Sequence, residues 1–211
     1  MPKRKLPNWS ARPKKSSFKL PPSCKVVYCH NLGDCSMICD TNLNCKDSCL
    51  YAGFDAEWPV SFEKGKPEDK VAVVQVCIDA SCCYVFQVSN MVKFPPMLKH
   101  LIESENFIKV GVNIQGDLYK LARNFGIDSE KAIKSSVDLS SLANSVLDKS
   151  DNWSLASLAK YLTGAEVFKH NKVRMSKWDY YPLSQTQIQY AAIDAFLSLQ
   201  LYNELVNLRG N

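Results

Sequence analysis

The sequence lacks any run approaching about 18 uninterrupted apolar residues, so no segment is expected to cross a membrane as a helix. It lacks the G-x-x-x-x-G-K-[ST] pattern, which excludes the phosphate loop of nucleoside triphosphate motors. No secretory signal peptide opens it, and histidine is scarce, with three in 211 residues. That scarcity bears on the nine cysteines, six of which cluster at Cys24, Cys29, Cys35, Cys39, Cys45 and Cys49. Structural zinc sites bring two close ligand pairs from knuckles or turns, whereas Cys35 and Cys39 share a helical stretch and only His30 is at hand. The odd count and the missing signal peptide lead us to expect reduced thiols in an intracellular compartment.

Acid is absent from residues 1–23, which hold Lys3, Arg4, Lys5, Arg12, Lys14, Lys15 and Lys19. This segment carries +7 against a formal net charge of +5, leaving the remainder at −2. Rich in Pro, Lys and Ser, residues 1–23 are expected to form a disordered basic tail. Lys3-Arg4-Lys5 and Lys14-Lys15 suit a nuclear import signal, a phosphate-seeking arm or a solubilising tail. With 46% apolar residues, residues 24–211 are enough for one well-buried domain.

Periodicity orders that domain. A short strand (26–29) and a helix (about 33–42) precede strands at 50–58, 71–78 and 83–88, the last three forming an antiparallel meander. Pro95-Pro96 open a helix. Strand 107–112, a helix over 117–125, strand 136–139, a helix over 139–147 and one ending at Gly164 follow. Ser184 and Gln187 have capping-box spacing at the start of a last helix that keeps its period to about Leu205. The order describes an α/β fold with a mixed sheet flanked by helices.

Three segments carry chemistry. In Phe54-Asp55-Ala56-Glu57 the two acids lie two apart on a strand and face the same way, an arrangement that favours a divalent cation beside them. Asp117 sits where a strand gives way to a helix, and Gly116 there would permit close backbone approach; alone, Asp117 reads better as a helix N-terminal acid that complements the macrodipole. Tyr190 and Asp194, at i and i+4, share one face of the alanine-lined last helix, which would let it approach the sheet and hold Asp194 near Asp55. Outside these, Arg174, Lys177 and Trp178 in VRMSKWDYYPL form a basic loop suited to a phosphate backbone and a terminal base, although Trp178 reads equally as a core anchor.

Together the segments GFDAEWP (53–59), KVAVVQVC (70–77), CYVFQVS (83–89), GVNIQGDLYKL (111–121), WSLASLAKYLTG (153–164), VRMSKW (173–178) and PLSQTQIQYAAIDAFLSLQLY (182–202) resemble the DEDDy 3′-5′ exonucleases of the DnaQ-like group. The subgroup resembled is that of the Werner-type exonuclease domains and their stand-alone relatives. The resemblance runs from about residue 25 to 205, weakly over the cysteine-rich stretch 24–49. It implies a five-stranded ribonuclease H-like sheet and hydrolysis of phosphodiester bonds from DNA 3′ ends. It also implies two ions, Mg²⁺ or Mn²⁺, about 3.5–4 Å apart. Asp55 would bridge them, Glu57 and Asp194 would hold the ion that binds the attacking water, Asp117 would support the other, and Tyr190 would orient the water. Tyr119 would stack on the terminal base where that subgroup often has Trp. Nuclear localisation, a role in DNA repair or replication maintenance and a separate RecQ-type helicase as partner follow as expectations, with no membrane association.

Two other readings stand beside this one. An RNA-trimming enzyme of the ribonuclease D type would use the same acids and tyrosine; the few residues after the last helix lead us to expect no appended helical nucleic-acid-binding module, and so DNA. A catalytically inactive scaffold usually lacks one or more of the acids, all of which are present here.

Overall fold

The computed structural model describes residues 18–43, 48–61, 63, 65, 67–167 and 171–210. The expected tail is therefore outside the described residues from 1 to 17, as is Cys45. The elements run β1 (Lys25–Cys29), α1 (Leu32–Thr41), β2 (Leu50–Glu57), β3 (Val73–Asp79), β4 (Cys82–Phe86) and α2 (Pro96–Glu103). They continue β5 (Phe107–Gly111), α3 (Ile114–Phe125), α4 (Ser129–Lys134), β6 (Ser136–Asp138), α5 (Leu139–Leu147), α6 (Leu155–Thr163), α7 (Asn171–Arg174) and α8 (Gln185–Gly210).

The strands form one sheet of order β1-β4-β3-β2-β5-β6. The expected meander is its centre, with β2–β3 and β3–β4 antiparallel, while β1–β4, β2–β5 and β5–β6 are parallel. The sheet therefore has six strands rather than five. β1 extends it at one edge, and α1 buries Cys35, Ile38 and Cys39 in the core. Among the described residues eight cysteines are free thiols; Cys24 and Cys83 come to 3.8 Å between sulfurs, far beyond a disulfide bond.

β3 reads as a run dense in β-branched residues because both its faces are covered. Val74 and Val76 pack with Phe54, Leu98 and Leu118 on one side. Val73 and Cys77 pack with Ala191, Ala195 and Leu158 on the other. Reciprocal bonds start α8, Ser184 N–H to Gln187 Oε1 at 3.0 Å and Gln187 N–H to Ser184 Oγ at 3.3 Å, and the helix extends past Leu205 to Gly210. α6 ends at Gly164, whose φ of 68° is left-handed. α4 and α7 were not anticipated, since six and four residues show too little periodicity to stand out. Among the described residues no helix is long and apolar enough to cross a membrane.

Among the described residues two lysines are buried, Lys120, which pairs with Glu68 at 2.8 Å, and Lys109. Lys109 of β5 is fully buried, its ammonium donating to the Ile102 carbonyl at 2.7 Å and Ser135 Oγ at 2.5 Å. Both acceptors are neutral, and desolvation lowers its pKa to about 7. Between about pH 7 and the unfolded value near 10.5 the unfolded chain binds the extra proton, so stability rises with pH across that window. Urea unfolding at pH 7 and 9.5 should show a gain approaching roughly 1.4 kcal/mol per pH unit that Lys109→Met lacks.

Candidate active site

Alternation on β2 puts Gly53, Asp55 and Glu57 on the face that α8 covers. Gly53 is required there, because a Cβ would lie 1.9 Å from the Ala195 carbonyl oxygen. Ala191, Ala192 and Ala195 are fully buried against the sheet, so small residues on both elements bring α8 onto β2. One helical face then delivers Tyr190 and Asp194 to the acids of β2, as the spacing implied.

Carboxylate oxygens of Asp55, Glu57 and Asp194 all lie within 4.8 Å of one another. Asp117 enters from the first turn of α3, 7% exposed and hydrogen-bonded to Asp55. Asn113 precedes α3 with φ at 57°, a conformation Asn tolerates, and its N–H donates to Asp138 Oδ2 at 2.7 Å. Gly116 proves to make room for the Asn113 side chain, 2.8 Å from where a Cβ would stand, rather than for backbone.

The four acids line one cavity of about 500 Å³. Burial raises every one of their pKa values. Asp55 is pushed up to about 6 by desolvation, held back by hydrogen bonds from its neighbours. Glu57 is raised well above the carboxylate range by desolvation and then by Asp55, Asp194 and Asp117, with Arg174 opposing. Asp117 and Asp194 rise through desolvation and then the charge of Asp55, while Tyr190 hydrogen-bonds Asp194 and draws it down. The Tyr190 hydroxyl is itself raised, by desolvation and then by Asp194, Glu57 and Asp55. Crowded carboxylates with Arg174 as the one cation on the lining among the described residues suit a hard divalent ion, which this all-oxygen donor set fits.

The other expected contacts divide. Arg174 is exposed and lines the cavity. Lys177 is exposed but outside the lining, its ammonium 5.1 Å above the Tyr180 ring. Tyr119, 49% exposed, also lies outside it. For Trp178 the core-anchor reading holds and the base contact does not: it is wholly buried, its indole N–H bonds the Arg174 carbonyl at 3.0 Å, and its ring stands 6.0 Å from that of Tyr190. It anchors the loop and cannot stack on a base.

Sequence reading missed Trp58, Met175 and Leu155, which give the cavity an apolar flank, and also Gln75. Fully buried and paired across strands with Asp55, Gln75 donates from Nε2 to Asp55 Oδ2 at 3.0 Å, while its Oε1 has no hydrogen-bond partner. A lone amide within VAVVQVC was the available signal, since buried polar groups need a reason. Gln75→Leu should raise the Mn²⁺ concentration at half-saturation about 10- to 100-fold, read by titration calorimetry, as losses of such supporting bonds do.

A family model described as 3′-5′ exonuclease matches residues 30–208. The chain is 39% identical over 184 residues to the bifunctional 3′-5′ exonuclease/ATP-dependent helicase WRN of Mus musculus, covering 87% of this chain and 13% of that protein. It is 42% identical over 158 residues to a 3′-5′ exonuclease of Arabidopsis thaliana, covering 75% of this chain and 53% of the relative. The chain thus spans about half of the plant relative and a small part of the mouse one. Among solved structures, the Nibbler EXO domain of Aedes aegypti superposes with a TM-score of 0.72 at 19% identity, covering 92% of each chain. Escherichia coli RNase D superposes with 0.70 at 16%, covering 88% of this chain and 45% of that one. These two likenesses show a shared fold, the ribonuclease H-like arrangement of helices on a mixed sheet.

Proposed function

The chain belongs to the 3′-5′ exonuclease family, and from that premise we propose that it releases nucleotides one at a time from the 3′ ends of DNA. The observation that carries the reading is the convergence of Asp55, Glu57 and Asp194 on one point, with Asp117 beside them.

Asp55, Glu57 and Asp194 would hold Mg²⁺ or Mn²⁺, and Asp117 would act through its bond to Asp55. Such ions, when bound, lower the pKa of a water and stabilise charge on the phosphate and the departing 3′ oxygen. Raised as it is, the Tyr190 hydroxyl stays protonated at neutral pH, so it orients a water as a hydrogen-bonding group and does not take its proton. Arg174 places a guanidinium where a scissile phosphate would meet the acids. Trp58, Leu155 and Met175 supply an apolar flank for sugar and base, with little to read a base edge, so sequence preference should be weak.

DNA as substrate is supported by sequence likeness at 39–42% to exonucleases, one of them joined to a helicase; the ribonuclease D likeness, at 16%, is one of fold. A role in DNA repair or replication maintenance, alongside a RecQ-type helicase on another chain, extends the same reading. Lys3-Arg4-Lys5 supports nuclear import, which a fluorescent fusion with those residues changed to Ala would test.

The substrate test uses 5′-labelled single-stranded DNA, RNA of the same sequence, and blunt and 3′-recessed duplex DNA, each with Mg²⁺. Ladders shortening from the DNA 3′ end are expected. Trimming of RNA alone would overturn the substrate assignment.

A further inference from the structure

Beyond the cavity, an aromatic and basic ridge runs along the same edge of the sheet. Tyr180 and Tyr181 are 64% and 52% exposed, unusual for large rings that no partner covers. The ring of Tyr181 lies 5.0 Å from that of His30, which lies 5.5 Å from that of Tyr28. Lys177 stands over Tyr180, and residues 172–182 hold Lys172, Arg174 and Lys177 against the single acid Asp179.

The ridge is held rigidly. Buried Gln87 donates from Nε2 to the Tyr180 carbonyl at 2.7 Å and the Trp178 carbonyl at 3.4 Å. The Tyr28 hydroxyl donates to Gln87 Oε1 and accepts the Leu183 N–H at 3.2 Å. Trp178, buried beneath, fixes the other end. The exposed rings therefore project from a backbone fixed in place, and ordering them on binding costs little entropy.

Strand register measures the path. Ala56, between the two acids of β2, pairs with Val74, Val74 with Phe86, and Phe86 with Cys29, next to His30. Three inter-strand steps separate the cavity from the far end of the ridge, about 14 Å. At a stacked rise of about 3.4 Å per nucleotide that is roughly four nucleotides. The segment spanning the interval begins with Arg174 and Met175, which line the cavity, so the ridge is continuous with the site.

The geometry points to Tyr180, Tyr181 and His30 as a stacking platform for the bases two to four nucleotides 5′ of the scissile bond, with Lys177 beside their phosphates. This rests on the nuclease reading and adds to it a subsite for unpaired substrate. Rings stack on any base and cations meet any phosphate, so the platform selects a single strand without selecting sequence.

The test measures kcat/KM on single-stranded DNA of two, four, eight and sixteen nucleotides for the wild type, the double variant Tyr180→Ala/Tyr181→Ala and the double variant Tyr180→Phe/Tyr181→Phe, with thermal midpoints recorded for each. In the wild type kcat/KM should climb from two to about eight nucleotides. The alanine pair should cut the eight-to-two ratio about 10- to 100-fold, as expected for about 1–3 kcal/mol per stacked base, and the phenylalanine pair should keep it. An alanine pair with the wild-type ratio would overturn the platform, leave the nuclease standing and mark the ridge as a face for another protein. Failure of the wild type to cut DNA of any length would overturn both.

Discussion

Asp55→Asn should slow release of the 3′-terminal nucleotide by about a thousand-fold or more, with the protein still folded. Asp55 is the acid that the others share: its carboxylate lies within 4.8 Å of those of Glu57 and Asp194, its side chain bonds Asp117, and Gln75 fixes its orientation. Replacing it by a neutral amide removes the charge that divalent ions need while keeping shape and the β2 pairing. Metal-ion stabilisation of a phosphoryl transition state is worth several kcal/mol, and each 1.36 kcal/mol is tenfold in rate. Tyr190→Phe should cost less, about a hundred-fold, because the ring still packs near Trp178 while the hydroxyl's bonds to Asp194 and to the water are lost. Single-turnover cleavage of a 5′-labelled strand measures both. Equal losses in the two variants would show that Tyr190 is more than an orienting group.

A second large effect is expected in stability without metal. All four carboxyl groups have folded pKa values above their ordinary ones, Asp55 at about 6. The native state therefore holds protons that the unfolded chain has released above about pH 4, and stability is lost as pH rises through the folded values. Asp55 alone accounts for on the order of 3 kcal/mol between pH 4 and 7. In chelator the thermal midpoint should fall by several degrees over that range, and Mg²⁺ at pH 7.5 should restore it. Asp194→Asn removes one of the repelling charges, so it should raise the metal-free midpoint, blunt the response to Mg²⁺ and abolish cleavage. Differential scanning calorimetry decides; a variant less stable than the wild type in chelator would contradict the crowding argument.

These effects trace to features of differing legibility. Asp55 and Glu57 were readable because strand side chains alternate, and Tyr190 with Asp194 because helix faces repeat every three to four residues. The alanines of α8 forecast its close approach to the sheet, and Gly53 is the complementary space on β2. Contacts between distant segments were harder. Nothing local told that β1 would pair parallel with β4 and add a sixth strand. Trp178 lies in a polar loop where exposure and burial read alike, and only Gln87, Gln187 and the Arg174 carbonyl gathered around that loop reveal an anchor. Gln75 was visible as an oddity in an apolar run, yet its bond to Asp55 depends on the register of β3 against β2. The ridge of Tyr180, Tyr181 and His30 brings together His30 and Tyr181, 151 positions apart, and appears only in three dimensions.

Anomalous scattering from crystals grown with Mn²⁺ and a nucleoside 5′-monophosphate tests the central claim most directly. Manganese peaks are expected inside the carboxylate cluster, in contact with Asp55, Glu57 and Asp194, with the nucleotide's phosphate against them and its base toward Trp58, Leu155 and Met175. Ordered nucleotide in the cavity with no manganese at Asp55, or manganese held elsewhere, would contradict it.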